Sequence, residues 1–63
     1  MRNIILVKNL QDEKSVKLIN NALADTRVVY EISLEKKCII VDGNADMVAI
    51  TKKILHDLGF VTL

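Results

Sequence analysis

The chain has no proline and no tryptophan, and only two glycines, one tyrosine, one phenylalanine and one cysteine in 63 residues. Each scarcity excludes something. So little proline and glycine argues against disorder and against a linker. Single Cys38 cannot close an internal disulfide, which fits a reducing compartment. No apolar run approaches the roughly 20 residues that cross a bilayer. The run Ile4-Ile5-Leu6-Val7 is too short for a secretory leader, and no small-residue cleavage site follows it. The expectation is a cytoplasmic protein with no membrane insertion. Charge of one sign is missing too. Nine basic against eight acidic residues leave a net +1, which removes the field that draws a protein to nucleic acid or an anionic surface.

What is present is aliphatic. Hydrophobic residues make up 51% of the chain, and Ile, Leu and Val supply most of them. A chain this short buries only about 60% of its unfolded surface, so one small domain over residues 1–63 is expected, with a thin stability margin.

Ile4 to Val7 reads as a β-rich first strand. Asp12 is a suitable N-cap for a helix running to about Ala24, with Val16, Ile19 and Leu23 on one face and Ala22 flanking. Arg27 to Leu34 alternates as a strand: Tyr30, Ile32 and Leu34 one way, Val29, Glu31 and Ser33 the other. Glu35-Lys36-Lys37 is long enough only for an antiparallel return into Cys38 to Val41. Asp42-Gly43-Asn44 is turn chemistry. A second helix begins near Asp46, with Met47, Ile50, Ile54 and Leu58 at helical spacing and Thr51 and Leu55 beside them. Gly59 ends it, and Phe60 to Leu63 makes a last short strand. The order β-α-β-β-α-β predicts an α+β, ferredoxin-like sandwich: a four-stranded antiparallel sheet with two helices on one face.

Three segments then carry a family resemblance. They are Val7-Lys8-Asn9-Leu10, the hairpin Tyr30-Glu31-Ile32-Ser33-Leu34 with Ile39-Ile40-Val41-Asp42-Gly43, and Ile54-Leu55-His56-Asp57-Leu58-Gly59-Phe60. At these spacings the whole chain resembles the heavy-metal-associated domain, the fold of small copper chaperones and of the N-terminal modules of metal-pumping ATPases. The resemblance implies a metal loop between first strand and first helix, with two thiolates three positions apart that select Cu(I) and similar soft ions. Here those positions hold Asp12 and Ser15, Leu10 stands for a Met packed under the loop, and Asn9 stands for Gly. The resemblance still implies the fold, and the metal loop reads as degenerate.

The remaining candidate residues each have a plain reading beside a functional one. Asp12 and Ser15 offer a carboxylate and a hydroxyl to a harder cation, or serve only as a helix N-terminus. Cys38, expected to face outward beside Ile40, is a partly exposed thiol for a metal bridge between two copies or for oxidation, or a small apolar side chain. His56 is a solvated imidazole with no chelating neighbour at a useful spacing. Lys14, Lys17, Lys52 and Lys53 form a basic docking strip for an acidic partner, or a solvated face interrupted by Glu13, Asp25 and Asp57.

With Ile5, Val7, Tyr30, Ile32, Ile39 and Val41 facing the helices, Ile4, Leu6, Val29 and Ile40 lie on the open face of the sheet. Polar residues usually occupy that face, so an aliphatic patch there points to a covering protein partner or to self-association as a dimer. The expectation is a protein-interaction or regulatory module with no resident cofactor. The alternative is a copper- or zinc-binding or trafficking protein that uses non-standard ligands. RNA binding lacks the aromatics it needs on the central strands. Catalysis lacks any nucleophile–base pair, carboxylate pair or phosphate-cradling loop, so an enzyme is not expected.

Overall fold

A computed structural model describes residues 2–63 of the chain. Five elements follow in order: β1 (Arg2–Leu6), α1 (Glu13–Ala24), β2 (Val29–Ser33), β3 (Cys38–Asp42) and α2 (Ala45–Asp57). The strands form one antiparallel sheet in the order β1-β3-β2, with β3 in the middle. The fold is therefore α+β, with two helices and three paired strands.

Its register follows from the hydrophobic pattern. Ile5 lies opposite Ile39 and Asn3 opposite Val41 on one side of β3, while Ile32 and Tyr30 meet the same two residues on the other. A slip of one residue would turn all of these outward. Ile5, Val7, Ile39 and Val41 are buried, and Tyr30, Ile32 and Leu34 pack against them. Each buried Val, Leu or Ile is worth about 1.5–3 kcal/mol relative to exposure.

Helix α1 starts where the Asp12 carboxylate accepts the Ser15 N–H at 2.9 Å. Its stripe of Val16, Ile19 and Leu23 enters the core, with Ile19 and Leu23 fully buried. The helix ends where both the N–H and the Oγ1 of Thr26 donate to the Leu23 carbonyl, at 3.0 and 2.6 Å. Tyr30, on the inner face of β2, donates its hydroxyl to the carbonyl and side-chain oxygens of Asn20 and so fastens this edge strand to α1.

Helix α2 is capped by Asn44, whose Oδ1 accepts the Met47 N–H at 3.2 Å. At its far end Gly59 takes φ +92, Gly59 N–H donates to His56 O, and Phe60 N–H reaches back to Leu55 O at 2.8 Å. That pattern is a Schellman ending, and it brings the Phe60 ring beside Leu55 in the core.

Two expectations change. The buried line of α2 runs through Thr51 and Leu55, with Met47, Val48 and Ile54 beside it, while Ile50 and Leu58 are exposed. Thr51 can sit there because its hydroxyl donates to the Met47 carbonyl at 2.8 Å, leaving no unpaired polar atom. The fourth strand is present only as an isolated antiparallel bridge between Val7 and Thr62. The Schellman turn uses the chain up to Phe60, so only two backbone bonds remain: Lys8 N–H to Val61 O at 2.8 Å and Leu63 N–H to Leu6 O at 2.9 Å.

Candidate functional site

The loop after β1 is held from three directions. Leu10 anchors it from below, with no exposed surface. Asn9 closes it sideways: its Nδ2 donates to Gly59 O at 3.2 Å and its Oδ1 accepts Val61 N–H at 2.8 Å. Asp12 ends it, with one oxygen, Oδ1, accepting both the N–H and the Oγ–H of Ser15 at 2.9 Å.

These bonds to Ser15, backbone first and hydroxyl second, hold the Asp12 carboxyl below its ordinary range, with a smaller contribution from the Lys14 charge. The two loop positions are thus brought together, but as a helix cap. One exposed carboxylate already shared with a hydroxyl does not fit a soft ion, and a hard ion needs more oxygens. Among the described residues no group of three or more His, Cys, Asp or Glu side chains could hold a metal ion.

Cys38 departs from expectation. It lies opposite Leu6 and Ser33 and alternates with Ile39, which places it on the open side of the sheet, yet it is only 4% exposed. Its position on the middle strand is the reason. Neighbours on both sides cover a small side chain there, so the thiol is not the partly exposed group that a bridge or ready oxidation requires.

Lys14, Lys17, Lys52 and Lys53 are all exposed on the two helices, as is His56. The acidic residues that punctuate them, Glu13, Asp25 and Asp57, are exposed as well.

The open face is the largest unexplained feature. Ile4 is 67% exposed and Val29 64%, Leu6 is nearly half exposed, and Ile40 is half-buried between them. The Val7–Thr62 bridge sets Leu63 beside Leu6, so Leu63 (74% exposed) and Val61 extend the same face. Leu63 and Val61 were missed as face residues; their alternation about Thr62 was the available signal. The charged residues Arg2 and Glu31 stand at one end, 4.0 Å apart across β3. Beside them lies a shallow hollow of about 320 Å³ lined by Arg2, Val29, Tyr30, Glu31, Ile40 and Asp42.

Among the described residues no helix is long and apolar enough to cross a membrane. Compared with known proteins, the chain matches no family model, no curated protein and no solved structure.

Proposed function

We propose that this chain is a protein-interaction or regulatory module of the heavy-metal-associated, metallochaperone-like type, and that its open sheet face takes the partner. On this reading the fold is the ferredoxin-like βαββαβ sandwich, with Phe60 to Leu63 as a rudimentary fourth strand beside β1. The strand order β1-β3-β2 and the Val7–Thr62 bridge support it. The partner is another protein or a second copy of the chain, met in a reducing cytoplasm where lone Cys38 stays a thiol.

The observation that carries the reading is the contiguous aliphatic surface of Ile4, Leu6, Val29, Ile40, Val61 and Leu63. A monomer gains nothing from exposing it, and covering it removes apolar area from water. The degenerate loop supports the same direction, because the bond between Asp12 and Ser15 spends both side chains on capping.

Sedimentation equilibrium across a wide concentration range tests the self-association arm, and capture by a purified candidate partner tests the other. Ile4→Lys with Leu63→Lys should abolish whichever association is seen and leave the fold intact. Association that survives both substitutions sinks the open-face reading.

A further inference from the structure

Strand β2 is an outer edge of the sheet, and the direction of its backbone groups can be worked out. Val7 N–H donates towards β3, to Lys37 O at 2.9 Å, while Leu6 O accepts from Leu63 on the opposite side. Successive residues in an antiparallel strand alternate the side to which their N–H and C=O point. Carried through the register, this alternation makes Cys38, Ile40 and Asp42 bond to Ser33, Glu31 and Val29. The N–H and C=O groups of Tyr30 and Ile32 therefore point out of the sheet along its free edge.

That edge lacks the usual protections. Val29–Ser33 holds no proline and no lysine, and its pairing with β3 runs without a bulge. Its one charge is Glu31, with a side chain 74% exposed on the open face. An antiparallel strand bonded to Tyr30 and Ile32 must set one residue directly opposite Glu31, at the closely spaced non-hydrogen-bonded position. In a symmetric pairing of two copies about this point, that residue is Glu31 of the second copy, and like charges oppose each other. A lysine or arginine there is favoured instead. Val29 and Ile40, the aliphatic residues that line the adjoining hollow, suit the methylene stem of such a side chain.

We propose that the free edge of β2 is a strand-addition site for an extended segment of another protein that carries a lysine or arginine opposite Glu31. Backbone bonds to Tyr30 and Ile32 hold the segment, and Glu31, whose other neighbour is Arg2 at 4.0 Å, favours a cation opposite it and disfavours the self-pairing that is centred on Glu31. The backbone bonds of this site run along the edge, away from Ile4, Leu6 and Leu63, and only the stem of the selected side chain shares Val29 and Ile40 with the aliphatic face.

The chain itself supplies the probe. Isotope-labelled wild-type protein is mixed with unlabelled Glu31→Lys protein, so that each edge meets the opposite charge. Amide exchange at Tyr30 and Ile32 should slow about tenfold in the mixture relative to either protein alone. Unchanged exchange at both amides overturns the proposal. The mixture is repeated with Ile4→Lys in both proteins. Protection that persists supports the edge site whatever becomes of the open face, and protection that disappears assigns the contact to the open face and overturns the edge site. Glu31→Arg replaces Glu31→Lys should the latter fail to fold.

Discussion

The side-chain carbonyl of Asn9 accepts the backbone N–H of Val61 at 2.8 Å, joining residues 52 positions apart in the chain. The same side chain donates to Gly59 O, so it behaves as a short extra length of strand between the first loop and the exit of α2. Asn9→Ala removes both bonds at once. At about 0.5–1.5 kcal/mol each, the loss should total roughly 1–3 kcal/mol in urea unfolding, with the Val61 amide shifting most in the NMR spectrum. An unmoved Val61 amide would contradict the clamp.

The bond between Asp12 and Ser15 predicts a pH response of definite sign. The folded state lowers the Asp12 pKa from its ordinary 3.8, so the carboxylate form is the one that folding favours. The stabilisation is present above the ordinary value and is lost as pH falls through the lowered one. Asp12→Asn should flatten this acid limb of the melting profile, and Ser15→Ala should flatten it in part, since the Ser15 N–H remains. Identical acid limbs in wild type and Asp12→Asn would remove the assignment.

On α2 two aliphatic residues should behave oppositely. Leu55→Ala opens a cavity at a fully buried position and should cost about 2–5 kcal/mol, a large share of the total for so small a domain. Ile50→Ala, on the wet side, should cost less than about 1 kcal/mol. Chemical denaturation of both variants checks the orientation of the helix, and equal losses would mean that it is rotated.

The buried thiol gives a kinetic prediction. Cys38 should react with a soluble disulfide reagent at least about a hundredfold more slowly in buffer than in strong denaturant, because reaction must wait for local opening of the middle strand. Comparable rates in the two conditions would return Cys38 to the surface.

Much of this arrangement could be read from residue order, and the misses share a cause. Asp12 and Gly59 announce a helix start and a helix end through local chemistry. The inner and outer sets of the sheet follow from period-two alternation, and the outcome for Ile5, Ile39 and Ile4 agrees with it. Alternation gives a direction, however, and cannot say how much neighbouring strands cover a residue; Cys38 was misjudged for that reason. On α2 the sets 47-50-54-58 and 48-51-55 both keep helical spacing. Thr51 looks polar until its hydroxyl is seen donating to the Met47 carbonyl, a bond that lets it lie in the buried set. The Asn9 clamp had no local signal, because both its partners lie at the other end of the chain. The site was less legible than the fold. Asp12 and Ser15 meet at the start of α1, where local chemistry expects a cap, but the free edge of β2 depends on strand order, which spacing does not reveal.

The central place of β3 also sets an order of assembly. Its union with β2 needs only the turn at residues 34–37 to close, whereas its union with β1 must first bring together segments separated by α1 and the whole of β2. Closing the longer span carries the greater entropic toll, so the hairpin forms early and β1 arrives late. Substitutions within the hairpin should then slow refolding, and those at Val7 or Thr62 should chiefly hasten unfolding, a division that stopped-flow chevrons would expose or refute.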